Sequence, residues 1–163
     1  INSNGTISIL TQHDIDAMIV YSCGFIKKKT CERFHNVIMG AHAGKLPEYR
    51  GVNNVEWAYL EDDELYGTIQ FLAPKMDTGD IIYEERLEKK PDLQEIEKIR
   101  EDAFEQVFSL FPKALDNLSK QGFLPRKQTL KRTTRYRMHS FLKHVLSKNQ
   151  ADRLFETLAD QKR

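Results

Sequence analysis

The chain has 163 residues, 30% of them charged and 40% hydrophobic, with a formal net charge of +1. That length and composition suit a single soluble domain with its own core, and no apolar run approaches the roughly 18 residues that would suggest a membrane span. Cys23 and Cys31 are the only cysteines. They lack a CxxC spacing and read as reduced thiols of a cytoplasmic protein. No three or four ligands are spaced for zinc, so no metal is expected. The opening INSNGTISIL has no initiator Met and no signal-peptide pattern, and reads as the start of a fragment or a processed piece.

Taken in chain order, TQHDID (11–16) reads as a helix end or turn, and AMIVYS (17–22) as a buried strand of continuous apolar character. KKKTCERF (27–34) reads as a short helix, NVIMGA (36–41) as a second buried strand, and GVNNVEWAYLED (51–62) as a helix. YGTIQFLA (66–73) is a third strand. PKMDTG (74–79) is a Pro- and Gly-bearing loop, and DIIYEERLE (80–88) is a fourth strand whose alternation suits a sheet edge. Residues 92–122 predict one long amphipathic helix, with Ile96, Ile99, Ala103, Val107, Leu110, Ala114 and Leu118 on its apolar stripe, a kink at Pro112 and Gly122 as its stop. FLPRKQTLKRTTRYR then reads as extended and basic, followed by helical patterns over MHSFLKHVLSK and QADRLFETLADQ.

Alternating strands and helices predict an α/β class with a mostly parallel sheet. Two units are expected: an α/β domain over 1–122 and a basic, mainly helical tail over 123–163. Residues 1–118 carry 13 Lys and Arg against 21 Asp and Glu, and residues 119–163 carry 12 against 3, for net charges of −8 and +9. A basic tail suits a phosphate, tRNA, an acidic partner or a homodimer contact, or is simply a solvated face. A nucleic-acid binder ranks last, because the tail lacks interleaved stacking aromatics.

In α/β sheets, sites form at the carboxyl ends of strands. His42 and Asp77 both fall just past a predicted strand, which pairs them. A histidine can polarise a carbonyl or shuttle a proton near neutral pH. A nearby carboxylate can orient it and accept a proton from an attacking amine. Taken alone, each residue has a blander reading, His42 as a structural histidine and Asp77 as a turn residue.

The stretch HAGKLPEYRGVNNVEWAYLEDDELYGTIQFLAPKMDTGDII resembles the 10-formyltetrahydrofolate-dependent formyltransferases. The resemblance rests on His42, Leu46-Pro47, Tyr49-Arg50-Gly51, Trp57-Ala58, Thr68-Ile69 and Asp77-Thr78-Gly79-Asp80, without a gap, and spans about residues 15–90. It implies a Rossmann-like fold whose N-terminal half is lacking here, formyl transfer from 10-formyltetrahydrofolate to a primary amine, and catalytic roles for His42 and Asp77. It also matches CGFIKKKT to the loop that receives the pterin, which makes Phe25, Ile26, Lys27, Lys28 and Lys29 the folate-facing candidates.

Two departures matter. The family Asn two residues before the histidine is Gly40 here, and one lost oxyanion donor costs about 10²–10³ in rate. Asn53 or Asn54 could replace that amide or could merely start a helix. Lys28 and Lys29 stand where the family carries apolar residues; they could meet the glutamate tail of folate or lie exposed. The absence of barrel-like strands in the tail argues against a tRNA acceptor. A small sugar-nucleotide amine fits better, with Arg132, Arg135 and Arg137 facing its pyrophosphate. The alternative is a catalytically impaired binding module on the same fold.

Overall fold

A computed structural model describes residues 1–21, 24–90, 95–129 and 134–160, with side chains of the last helix described up to Gln150 and at Asp152. Cys23 and Arg132 lie outside the described residues. The element order is α1 (Asn4–Thr11), β1 (Met18–Val20), α2 (Lys28–Arg33), β2 (Ile38–His42), α3 (Asn54–Leu60), β3 (Tyr66–Phe71), β4 (Ile81–Arg86), α4 (Ile96–Phe108), α5 (Phe111–Ser119) and α6 (Ser140–Asp160). The four strands form one sheet in the order β1-β2-β3-β4.

The α/β, Rossmann-like class holds, but the sheet is mixed rather than mostly parallel. Only β1 and β2 run parallel; β3 is antiparallel to both β2 and β4. For β3 and β4 the physical reason is connection length: they are joined by the 72–80 loop, too short for the crossover that a parallel pair needs. β4 lies at the sheet edge, as its alternation suggests. β1 also lies at an edge among the described residues, so Ile19 is exposed rather than buried as its apolar run predicts.

Strand alternation divides the core in two. From β2 and β3, Met39, Ile69 and Phe71 face a large cluster with α3, α4 and α5. Ile38 faces the opposite side, where Ile7, Ile26, Cys31 and Phe34 from the α1–α2 region form a smaller cluster with Leu72 packed against it. By the same alternation Gly40 and His42 share the Ile38 face. Their partners across the ladder are Gln70 and Thr68.

Most of helix α1 falls where the sequence carries no predicted element, though it ends at Thr11, in the stretch that reads as a helix end or turn; Ser3 caps it by accepting from the Thr6 amide at 3.1 Å. The predicted long helix divides into α4 and α5. Its stripe is nonetheless buried: Ile96, Ile99, Ala103, Val107, Leu110 and Ala114 all lie in the large cluster. The break puts Pro112 in the first turn of α5, where its missing N–H costs no helix bond. The two helical patterns near the C-terminus form one helix, α6. The extended segment between α5 and α6 pairs back onto the body through single bridges, Arg126 with Ile81 and Arg135 with Gly51. Among the described residues no helix is long and apolar enough to cross a membrane.

Candidate active site

His42 is the last residue of β2 and is only 7% exposed. Its Nε2 lies 2.6 Å from the Tyr49 carbonyl, an acceptor, so this nitrogen carries a hydrogen. Asn54 Nδ2 is also near, at 3.3 Å, but donates at 2.8 Å to the Gly51 carbonyl, and its Oδ1 is buried without a partner. The remaining nitrogen, Nδ1, faces Asp77 Oδ1 at 3.5 Å. Acceptors therefore flank both sides of the ring.

Asp77 reaches this position by an indirect route. β3 runs away from the carboxyl end of β2, so a residue just after β3 would lie at the wrong end of the sheet. The loop doubles back instead, and Asp77 sits over the Gly40–His42 face in the left-handed region, with φ +52. Aspartate tolerates that region better than most residues. The Gly51 amide donates to Oδ2 at 2.8 Å, and Gln70 Nε2 lies 3.3 Å from Oδ1. The doubling-back needs Gly79, because a Cβ there would stand 1.7 Å from the Phe71 carbonyl oxygen.

A cleft of about 150 Å³ opens beside Asp77, and Phe25, Ile26, Cys31, Leu72, Met76 and Gln70 help line it. Two of the five folate-facing candidates thus share a wall with Asp77. Phe25 is 65% exposed and Ile26 buried. Lys27, Lys28 and Lys29 are not in that wall. Lys27 precedes α2 and its amide donates to Asn2, Lys28 pairs with Glu32, and Lys29 donates to Asn4 Oδ1 at 2.8 Å. Burial pushes the Cys31 thiol up from its ordinary pKa, so it lines the cleft as a neutral group.

The position of Gly40 is occupied in a particular way. A Cβ built there would lie 2.8 Å from Leu72 Cδ2, so a leucine side chain fills the space that a longer residue would take. Asn53 does not approach His42; its side chain donates to Glu56 at 2.5 Å. Of the arginines expected to meet a pyrophosphate, Arg135 is committed elsewhere. It holds both oxygens of Glu61, at 2.5 and 2.7 Å, and lies over the Tyr49 and Trp57 rings. Arg137 is exposed.

Residues to which the sequence reading gave no role in the site complete the surroundings. Thr68 donates to the Gly44 carbonyl at 2.7 Å, and Arg50, in the matched Arg-Gly pair, donates to the Asp77 carbonyl at 3.0 Å. Strand alternation around Thr68 could have placed Gln70 on this face. Nothing in the sequence marks Gln128, which arrives from the segment after α5. Among the described residues no three His, Cys, Asp or Glu side chains are gathered to hold a metal.

The family model described as Formyl transferase matches residues 3–115. The chain belongs to the formyl transferase family. A curated relative, methionyl-tRNA formyltransferase of Borrelia garinii subsp. bavariensis, is 34% identical over 88% of this chain and 44% of its own length. This family member spans less than half the length of the curated relatives it matches. Among solved structures it is similar to HypX from Aquifex aeolicus in complex with tetrahydrofolic acid (TM-score 0.64, 20% identity, 90% of this chain and 27% of that one). It is also similar to the formyltransferase PseJ from Anoxybacillus kamchatkensis, in complex with UDP-4,6-dideoxy-4-formamido-L-AltNAc and tetrahydrofolate (TM-score 0.54, 23% identity, 72% and 63%). These two likenesses show the fold.

Proposed function

We infer that this protein transfers a formyl group from 10-formyltetrahydrofolate to a primary amine. The observation that carries the reading is the His42–Asp77 contact at 3.5 Å, which opens at Asp77 onto a cleft shared with Phe25 and Ile26. The cleft lining suits a flat heterocycle. Ile26, Leu72 and Met76 offer apolar surface, the exposed Phe25 ring is available for stacking, and Gln70 and Asp77 offer polar atoms at one end. At about 150 Å³ it suits one ring system of the donor rather than the whole, since drug-sized ligands occupy roughly 300–1,000 Å³. Lys27, Lys28 and Lys29 are assigned to the donor's carboxylate end, as point charges on flexible stems.

Bound there, the folate supplies an activated formyl carbon and a leaving amine. His42 donates from Nδ1 to the oxygen on which negative charge develops, while the Tyr49 carbonyl holds the ring by Nε2. Asp77 accepts the proton lost by the attacking amine and passes it to the folate nitrogen as the bond between that nitrogen and the formyl carbon breaks, while Gly51 N–H and Gln70 hold its carboxylate in place. Leu72 and Met76 exclude water from the cleft wall.

A sugar-nucleotide amine is the first reading for the acceptor, supported by the likeness to PseJ, although Arg135 is unavailable for it. The 34% identity to a methionyl-tRNA formyltransferase favours methionyl-tRNA as the second. Leu72 packed at Gly40 favours a third: a weakened catalyst or folate-binding module on the same fold.

The test supplies the full chain with 10-formyltetrahydrofolate and either a UDP-4-amino-4,6-dideoxy sugar or methionyl-tRNA, and follows tetrahydrofolate release. Release with one acceptor is expected, cut by about 10²–10⁴ in Asp77→Asn and His42→Ala. Tetrahydrofolate binding by calorimetry without release would favour the module. Neither binding nor release would overturn formyl transfer.

A further inference from the structure

We propose that Gln128 is a positioning residue for Asp77, and that residues 123–129 act as a strap holding the 72–80 loop in its working shape. The proposal rests on the reading of Asp77 as a proton acceptor. Gln128 lies beyond residue 115, where the family match ends. Its Nε2 approaches the Gly79 carbonyl at 2.7 Å, the Asp77 carbonyl at 3.1 Å and Gln70 Oε1 at 3.4 Å. Its Oε1 accepts from Arg50 Nη2 at 2.6 Å and from Nε at 3.0 Å.

This environment allows one amide orientation. Three oxygens surround the nitrogen and a guanidinium faces the oxygen, so a flipped amide would set oxygen against carbonyls and hydrogens against a cation. The two hydrogens go to the two shortest contacts, the carbonyls of Gly79 and Asp77. Asp77 has a left-handed backbone, a conformation that persists where its surroundings over-determine it. Gln128 and Arg50 supply that constraint, since both donate to the Asp77 carbonyl while the Gly51 amide and Gln70 engage its carboxylate.

The strap is anchored independently of Gln128. Arg126 and Ile81 exchange two backbone bonds at 2.8 Å, and Arg126 Nη2 pairs with Glu84 at 2.8 Å. Gln128 is thereby delivered two residues further on, over the turn that Gly79 makes possible. Removing its side chain leaves the strap in place but frees the Asp77 carbonyl of one of its two donors. The carboxylate then drifts from Nδ1 of His42, and displacements of about 1 Å cost about 10²-fold in rate.

The experiment compares full-length wild type, Gln128→Ala, Gln128→Glu and Asp77→Asn by ¹⁵N spectroscopy of the histidine rings at one pH, with His42→Gln to assign the signals. Asp77→Asn defines the uncoupled position of the His42 Nδ1 signal. Gln128→Ala is expected to move that signal at least about halfway there. Gln128→Glu keeps an acceptor for Arg50 but loses both donors and sets an oxygen against the Gly79 and Asp77 carbonyls, so it should move the signal at least as far. In the release assay, kcat should fall about 10–100-fold with KM for the folate within about threefold. A His42 signal at the wild-type position in folded Gln128→Ala would overturn the proposal. If Gln128→Ala does not fold, the same signal in Gln128→Glu decides. The ring-nitrogen readout stands even if wild type releases no tetrahydrofolate, which would count against the proposed activity and not against the strap.

Discussion

At residue 40 the space beside the backbone is walled by one apolar side chain, that of Leu72. Gly40 presents no side chain beside His42, and Leu72 Cδ2 stands where a Cβ would press at 2.8 Å. Gly40→Asn alone is therefore expected to lose about 1–3 kcal/mol by overpacking, measured by urea unfolding. Paired with Leu72→Ala, which clears the space, it should lose less than the two single changes together and release tetrahydrofolate up to about 10²-fold faster than Leu72→Ala alone. Equal rates would show that an amide at 40 does not reach the reacting oxygen. A second residue-scale effect lies at Tyr49, whose hydroxyl is 2.8 Å from both Glu61 and Asp63. Burial and these two carboxylates push the Tyr49 hydroxyl far above its ordinary pKa, so it remains a donor. That donation and the Glu64 amide hold Asp63 below its ordinary 3.8. A depressed carboxyl stabilises the fold above its unfolded value and loses that contribution as pH falls through the folded one. The gap in melting temperature between wild type and Tyr49→Phe should therefore narrow from pH 7 to pH 3; a constant gap would remove Asp63 from the account.

At the scale of elements, the β3–β4 connection decides whether the site exists. β3 leads away from His42, and only a loop that turns back beneath the Phe71 carbonyl returns Asp77 to it. Gly79→Ala would force a methyl to within 1.7 Å of that oxygen. The loop must then open, so the expected result is a loss of several kcal/mol and loss of the His42–Asp77 coupling in ring-nitrogen spectra. A variant that melts with wild type would show that the turn has another way to close. The helices obey the same logic of fit. The stripe over 96–118 is legible from its 3.6-residue period, yet the chain breaks at Ser109–Leu110, and both α4 and α5 bury their faces in one core.

For the whole molecule, the segment after α5 is part of how the body holds together. Arg135 joins it to Glu61 and covers Tyr49 and Trp57, and its backbone exchanges bonds with Arg50 and Val52. Arg135→Ala is expected to cost about 1–2 kcal/mol in low salt and less at 1 M, because these charges are partly exposed and screened. An unchanged urea midpoint at both salts would assign the anchoring to the backbone alone. The −8 and +9 halves of the sequence thus meet partly inside the molecule, as Arg126 with Glu84 and Arg135 with Glu61.

Periodicity and turn chemistry, which are local, were enough to determine much of this protein. They place α2, α3 and all four strands within a few residues, mark the buried stripe of α4 and α5, and pair His42 with Asp77 by their place after a strand, whereas Phe25 and Ile26, which line one cleft with Asp77, are marked only by the resemblance to the formyltransferases. The tertiary structure alone decided the direction of β3 against β2, the exposure of Ile19, the outward placement of Lys27, Lys28 and Lys29, the filling of the Gly40 space by Leu72, and the arrival of Gln128 at a carbonyl 51 residues earlier in the chain. Each of these depends on which segments meet across the fold. A contact between distant residues leaves no period in the sequence, because its energy comes from packing and hydrogen bonding that exist only once the chain has closed on itself.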